Sequence, residues 1–168
     1  MFKFLFHVLA VAVCLVLPSA AQSADSVTPL PRPSQLKPIY SATVNAKTEI
    51  AEALRQAKSR NKRVILVFGG NWCFDCHILD AAFKDAQIAP VVNANYIIVH
   101  VDVGQFDRNL DIAKQYNVNI KKGVPALAVL SSDGLVVFSD KGGEFESARS
   151  MSRADVVNFL NKWKPKKA

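Results

Sequence analysis

The chain has few cysteines and no long apolar stretch beyond its N-terminal segment. Three cysteines in 168 residues are too few for a small fold that is held together by disulfides. After residue 21 no apolar run approaches the ~20 residues that span a bilayer, which excludes a polytopic membrane protein. Half of the residues are apolar and 21% are charged, as in a folded domain rather than a disordered chain. The length fits a single domain.

The first 21 residues have the pattern of a secretory signal peptide. Lys3 precedes an apolar run over 4–17, and small residues follow up to Ala21. An uncleaved membrane anchor is the alternative, but the run is short for that. Cys14 does not fit a lipoprotein signal, because apolar sequence continues beyond it. We therefore expect cleavage near Ala21 and a periplasmic or secreted protein with no stable membrane insertion.

The chain that remains after cleavage is basic and contains a single pair of cysteines. Its net charge is +6 instead of +7, and Cys73 and Cys76 are its only cysteines. An exported chain encounters an oxidising environment, in which such a pair can form a disulfide. The basic residues are scattered apart from the lysines of 162–167, a tail that we interpret as solubilising. Scattered charge and export together argue against a nucleic-acid partner.

A proline-rich segment separates the signal from the rest of the chain. Residues 22–44 contain four of the eight prolines among mostly polar residues. Each proline fixes its backbone and lacks an N–H donor, so this segment is predicted to be an extended arm or linker. The folded domain is accordingly expected over residues 45–168.

The apolar pattern of residues 45–168 predicts alternating helices and strands. Asn45 or Thr48 can cap a helix that ends near Asn61, and the continuous apolar run 64–68 predicts a strand buried on both faces. The remaining pattern predicts helices from about Cys73, over 85–94 and over 110–116, strands over 96–101, 126–130 and 135–138, and a last helix opened by a capping box of Ser152 and Asp155. The order predicts an α/β fold with a central mixed β-sheet flanked by helices on both faces.

Residues 72–77, with the sequence Trp-Cys-Phe-Asp-Cys-His, carry the chemistry. They join the end of the buried strand to the start of a helix, and the spacing brings both sulfurs onto one face of that helix. The helix N-terminus stabilises a thiolate at Cys73, so Cys73 is predicted to attack and Cys76 to resolve. A purely structural disulfide is the weaker interpretation, because closing so small a loop removes little chain entropy.

Two other interpretations use the same residues. Cys73, Cys76 and His77 match the attachment sequence of a c-type haem, in which the two sulfurs form thioethers and His77 binds the iron. However, the motif follows a strongly β-patterned strand. A copper or zinc site at these three residues is the other option, but closed zinc sites need four ligands and His100 is the only other histidine left after cleavage. We therefore expect no metal.

A second motif, Gly123-Val124-Pro125-Ala126, precedes the third strand. With Trp72, the cysteine pair and the buried strand before it, this motif resembles the thioredoxin superfamily over about residues 46–163. The resemblance implies a thioredoxin-like fold, a cis bond between Val124 and Pro125 beside the cysteines, and substrate binding by Trp72, Val124 and Pro125 as a form of strand addition. A thioredoxin-fold binding module with little catalysis stays an alternative.

The sequence departs from the usual pattern of that family. Phe74 and Asp75 replace the usual Gly-Pro between the cysteines, and Val67 occupies the position of a buried acid. The position that often carries a buried lysine is His100. The proton of Cys76 must then be accepted by Asp75, by His77 or by a water. We interpret Phe74, Asp75 and His77 as supporting residues of the site.

The resemblance also sets expectations for direction and partners. A carboxylate at Asp75 disfavours a thiolate by like-charge repulsion, which favours a reductase. The expected activity is an exported protein-disulfide reductase that needs no cofactor beyond the Cys73–Cys76 disulfide. Its expected partners are protein thiols or disulfides and a membrane or periplasmic redox partner.

Overall fold

The computed structural model describes residues 28–166. The predicted signal peptide and the first part of the predicted arm lie outside the described residues. Between residues 28 and 166 the elements run in the order α1 (Ala46–Arg60), β1 (Arg63–Gly69), α2 (Phe74–Lys84), α3 (Ala89–Asn95), β2 (Tyr96–Asp102), α4 (Leu110–Gln115), a 3-10 turn (Ile120–Lys122), β3 (Ala126–Leu130), β4 (Val136–Ser139), a second 3-10 turn (Ala148–Ser150) and α5 (Arg153–Trp163).

The four strands form one mixed sheet in the order β2-β1-β3-β4. β1 pairs parallel with β2 and antiparallel with β3, and β3 pairs antiparallel with β4. β1 lies between β2 and β3, and six of its seven residues are buried. A strand that is covered on both faces has a continuous apolar sequence, which explains the apolar run of β1. The predicted mixed sheet and hairpin are confirmed.

Helices cover both faces of the sheet. On one face Val64, Leu66 and Phe68 pack with buried residues of α1 and α4. On the other face Ile65 and Val67 pack with buried residues of α2, α3 and α5. Both cysteines lie in the first cluster, so the redox pair borders the core that the β1 side chains build. The predicted placement of helices on both faces is confirmed.

Several element boundaries differ from the sequence prediction by one residue, and the start of α3 differs by four. The helix predicted over 85–94 begins at Ala89, because Asp85 ends α2 and residues 85–88 form a turn closed by the Ile88 N–H donating to the Asp85 carbonyl. The last strand begins at Val136 instead of residue 135, because Leu135 still belongs to the hairpin turn and is 70% exposed.

The described part of the arm, residues 28–44, packs against the domain. It contains no helix and only an isolated bridge between Pro29 and Ser152. Its side chains nevertheless enter the core, since Leu30 and Tyr40 are 4% and 3% exposed. Asn71 holds the arm by accepting hydrogen bonds from the N–H groups of Ile39 and Tyr40 and donating one to the Tyr40 carbonyl. The arm therefore forms part of the wall beside the cysteine motif.

None of the helices within residues 28–166 has the length and hydrophobicity of a segment that crosses a bilayer.

Candidate functional site

Cys73 and Cys76 form a disulfide at the N-terminus of α2. Cys73 is the N-cap residue of the helix, and its sulfur accepts a hydrogen bond of 3.1 Å from the Cys76 N–H. The turn after β1 is closed by the Cys73 N–H, which donates to the Gly70 carbonyl. The unpaired amides of a helix N-terminus stabilise negative charge at this point, so the geometry favours a thiolate at Cys73 over one at Cys76.

The peptide bond between Val124 and Pro125 is cis, as the resemblance implies. The sulfur of Cys73 lies 3.4 Å from the Val124 carbonyl oxygen. This loop immediately precedes β3, and β3 pairs with β1, whose end leads into the cysteine motif. The sheet thus brings residues 51 positions apart in sequence against each other.

Two aromatic side chains surround the disulfide on the surface. Trp72 is 46% exposed, donates its Nε1–H to the Gly104 carbonyl over 2.7 Å, and lies with its ring centroid 5.6 Å from that of Phe106. Phe74 is 37% exposed, and the guanidinium carbon of Arg149 lies 5.9 Å from its ring centroid. Exposed aromatic rings beside a reactive pair are suited to contact a protein partner.

Asp75 is paired with Arg149. Its side chain is 7% exposed and accepts hydrogen bonds from the guanidinium and from the Arg149 backbone N–H. Burial raises the pKa of the Asp75 carboxyl, but the Arg149 hydrogen bonds and charge outweigh it and hold this pKa below its ordinary value. The carboxylate that was expected to repel the Cys73 thiolate is therefore compensated by a cation. Arg149 could not be predicted as the partner of Asp75 from the sequence, because it lies 74 residues away.

His77 supports the turn that carries Trp72. It is 4% exposed, and its Nε2 lies 2.9 Å from the Asn71 carbonyl oxygen, which fits an Nε2–H donor. One ring nitrogen of His77, the residue that the haem interpretation makes an iron ligand, is thus engaged by the backbone. Among the described residues no group of three or more His, Cys, Asp or Glu side chains is arranged to hold a metal ion.

The position of the missing buried acid, Val67, lies in the apolar core and pairs in register with His100. The buried carboxylate of Asp80, on α2, lies beside His100 instead of at the position of Val67. Its Oδ1 lies 3.4 Å from His100 Nε2, without hydrogen-bond geometry, and its Oδ2 accepts a bond of 2.7 Å from Lys84. Burial raises the pKa of Asp80, but His100 and Lys84 outweigh it and leave that pKa lowered. The spacing of Asp80 and Lys84 by four residues was the available sequence signal for this pair.

A groove of about 740 Å³ lies beside α4 and the loop before β3. Phe106, which contacts Trp72, lines one end, and Gly123, which precedes Val124, lines the other. Its floor includes Leu110 and Ile120, its basic side chains are Lys114, Lys121 and Lys122, and no acidic residue is among those that line it. The groove is therefore apolar and basic, and two of its lining residues, Phe106 and Gly123, adjoin residues of the site.

Comparisons with known proteins agree with this geometry. The profile of the thioredoxin-like family matches residues 45–132. The structure of a disulphide isomerase from Xylella fastidiosa Temecula1 is 37% identical, with a TM-score of 0.70 over 76% of this chain and 98% of that one. No curated protein sequence matches the chain.

More distant structures share the fold alone. A thioredoxin from Thermus thermophilus is 21% identical, with a TM-score of 0.50 over 67% of this chain and 81% of that one. The germline-specific thioredoxin Deadhead from Drosophila melanogaster is 19% identical, with a TM-score of 0.50 over 73% and 99%. From the profile match, the isomerase likeness and the Cys73–Cys76 disulfide together, the chain belongs to the thioredoxin-like family and has the site of a thiol–disulfide oxidoreductase.

Proposed function

We propose that this chain is an exported protein-disulfide reductase. The observation that carries the proposal is the Cys73–Cys76 pair at the N-terminus of α2, faced by the Val124 carbonyl. The Cys73 thiolate attacks a substrate disulfide, one substrate sulfur leaves as a thiolate, and a mixed disulfide forms. Cys76 then loses its proton to water and attacks Cys73. The second substrate sulfur leaves, so the substrate gains two electrons and the pair becomes the disulfide.

Proteins are the proposed substrates because the surface around the pair suits a polypeptide. Trp72, Phe74 and Phe106 are each more than a third exposed, and Phe106 also lines the apolar groove beside α4. The Val124 backbone, next to Cys73, is placed to pair with an extended segment.

The reducing direction is supported by the absence of a free cation between the cysteines. The segment between them is Phe74-Asp75, and the cation that reaches it, Arg149, is bound to Asp75. Arg149 thus neutralises the carboxylate that would repel the Cys73 thiolate. Because Arg149 is itself paired with Asp75, these residues also supply no unpaired positive charge to Cys73. Stabilisation by a helix N-terminus alone is weaker than stabilisation by a helix and a free cation together, and a less stabilised thiolate corresponds to a reductant.

No bound cofactor is needed in this proposal, because the Cys73–Cys76 pair itself holds the two electrons. Each turnover leaves the pair oxidised, so a second protein must reduce it. In an oxidising compartment the electrons must come through a membrane or periplasmic redox partner. The predicted signal peptide, residues 1–21, supports export. Fractionation of cells that express the full chain, followed by sequencing of the mature N-terminus, tests this part; an unprocessed cytoplasmic chain would contradict it.

The activity is tested with insulin as the disulfide substrate and dithiothreitol as the electron source. The wild type is expected to accelerate reduction, and Cys73→Ser is expected to abolish the acceleration. Cys76→Ser, purified from the native compartment without reductant, is expected to carry mixed disulfides that dithiothreitol releases. A folded wild type with no acceleration and no trapped adduct would favour a binding module instead.

Direction is tested separately, by equilibrating the protein with glutathione buffers and quantifying the two forms. We expect a potential closer to about −270 mV than to about −120 mV. A value above about −180 mV would exclude the reductase while leaving thiol–disulfide exchange intact.

A further inference from the structure

Tyr40, in the arm, places a buried hydroxyl next to the resolving cysteine. The side chain is 3% exposed, and its Oη has no hydrogen-bond partner among residues 28–166. A Cβ atom at Gly69 would lie 2.3 Å from Tyr40 Oη and 2.6 Å from Cys76 Sγ, so the two atoms are at most 4.9 Å apart. Gly69 is what permits this approach, because any larger residue would occupy the space that both atoms border.

An unpartnered buried hydroxyl costs stability, so a phenylalanine would suit the oxidised core better. This loss of stability is offset only in a state of the protein in which the Tyr40 hydroxyl forms a hydrogen bond. The nearest group that changes during the reaction is the Cys76 sulfur, which is a disulfide atom in one state and a thiol or thiolate in the other. A thiolate is a much stronger hydrogen-bond acceptor than a disulfide sulfur.

We propose that the Tyr40 hydroxyl donates a hydrogen bond to the Cys76 sulfur once the disulfide opens, and so promotes the thiolate that resolves the mixed disulfide. The inference rests on the proposed function, and it gives Tyr40 a part in activating Cys76, beside the water that accepts the proton because Val67 offers no acid. Tyr40 is a positioning residue, since it takes no proton. The Cys76 proton leaves to water, the Cys76 electron pair forms the bond to Cys73, and the bond from Cys73 to the substrate breaks with its electrons on the substrate sulfur.

The surroundings of Tyr40 keep it a donor. Burial and the nearby carboxylates of Asp80 and Asp102 raise the pKa of Tyr40, so the hydroxyl keeps its proton throughout the range in which thiols titrate. The edge of the His100 ring packs against the Tyr40 ring at a centroid distance of 5.2 Å and fixes its plane. Asn71 fixes the backbone of Tyr40 by three hydrogen bonds that include its neighbour Ile39.

The test uses the reduced protein and the chromogenic disulfide dithiobis(nitrobenzoate). Attack by Cys73 releases one coloured thiol, and resolution by Cys76 releases the second, so the two steps appear as separate kinetic phases. In Tyr40→Phe the first phase is expected to be unchanged and the second to be about tenfold slower, the factor of one charge-assisted hydrogen bond. The pH at which the second phase reaches half its maximal rate is expected to rise.

The matched control is Tyr96→Phe. Tyr96 is equally buried at 3% exposure, but its hydroxyl donates to the Leu160 carbonyl over 2.5 Å, away from the cysteines. This variant is expected to lose stability with both kinetic phases unchanged, whereas oxidised Tyr40→Phe is expected to be at least as stable as the wild type. Asp80, His100 and Asp102, the titratable neighbours of Tyr40, are the same in all three proteins. The shift between their pH profiles therefore measures the effect of the Tyr40 hydroxyl.

The outcomes are distinct. A second phase that is unchanged in Tyr40→Phe, or slowed equally in Tyr96→Phe, would overturn the role of Tyr40. So would an oxidised Tyr40→Phe that is less stable than the wild type or fails to fold, because the hydroxyl would then be structural. A wild type with a first phase and no second phase would instead contradict resolution by Cys76, and with it the proposed function. The potential of Tyr40→Phe is expected to be more negative, because the hydroxyl stabilises only the reduced form.

Discussion

At the scale of single residues, the two sulfurs of the disulfide have different surroundings. Cys73 is the N-cap of α2 and receives the Cys76 N–H, whereas Cys76 lies inside the helix and is 1% exposed. A thiolate is therefore stabilised at Cys73, which is 5% exposed and lies in sequence between the exposed residues Trp72 and Phe74. We expect limiting iodoacetamide to label Cys73 of the reduced protein, with the adduct located by peptide mapping.

Cys76→Ser is the control for that labelling, because it removes competition without changing the N-cap residue. Its Cys73 is expected to react about as fast as in the wild type. Preferential labelling of Cys76 in the reduced wild type would reverse the assignment of the attacking and resolving residues.

The ion pair of Asp75 with Arg149 leads to a pH-dependent prediction. The Asp75 pKa is lowered in the folded protein, so the pair adds stability above the ordinary carboxyl pKa of 3.8 and loses it as the pH falls through the lower folded value. Asp75→Asn is expected to lower the free energy of unfolding by about 2 kcal/mol near neutral pH. Urea unfolding at several pH values should show this difference shrinking below 3.8.

The control for that series is Asp85→Asn, which breaks the comparable pair with Arg153 far from the cysteines. Both substitutions should cost stability, but only Asp75→Asn should alter the rate at which Cys73 is alkylated. Equal alkylation rates in the two variants and the wild type would show that Asp75 has no electrostatic influence on the site.

How much the sequence predicted depends on distance along the chain. The cysteine motif is local, and its strand-turn-helix setting follows from an apolar run, a glycine turn and a capping position. Partners remote in sequence have no such signal. Arg149 bonds to Asp75 only because the second 3-10 turn packs on α2, and Tyr40 reaches Cys76 only because Asn71 holds the arm there. From the sequence alone, the Asp75 charge therefore looked uncompensated and Tyr40 had no role.

At the scale of elements, helices and strands were predictable where burial follows a regular period. β1 was predicted within one residue at each end by its continuous apolar run, and the start of α5 was predicted by the capping box of Ser152 and Asp155. The arm has no period to read. Its isolated apolar residues, among them Leu30, find their partners on α2, α3 and α5, and proline content alone suggested an extended linker.

The packing of the arm can be measured by substitution. Leu30→Ala removes a side chain that is 4% exposed and belongs to the core on the α5 face, so a loss of about 2–5 kcal/mol in unfolding free energy is expected. Leu36→Ala, on the same arm but 48% exposed, should change it by less than about 0.5 kcal/mol. Equal effects of the two substitutions in urea unfolding would mean that the arm is not docked in solution.

At the scale of the whole molecule, the redox potential of the cysteine pair reflects the difference in folding stability between the reduced and the disulfide form. A strong oxidant is one whose reduced form is the more stable, and a reductant is one whose disulfide form is favoured. Potentials near −270 mV and near −120 mV differ by roughly 150 mV, or about 7 kcal/mol for two electrons. For a chain of this size, a change of about 7 kcal/mol in the stability of one redox form relative to the other corresponds to about 20 °C in melting temperature.

The relative stability of the two redox forms therefore tests the reductase proposal without any substrate or partner. A chain prepared without the predicted signal peptide has no cysteines besides Cys73 and Cys76, so each form can be prepared cleanly with an excess of oxidant or reductant. We expect the disulfide form to melt at the higher temperature, and the double variant Cys73→Ser, Cys76→Ser to melt at one temperature in both buffers. A reduced form that melts above the oxidised one would mean that the fold stabilises the dithiol, and the protein would then withdraw electrons from its substrates instead of supplying them.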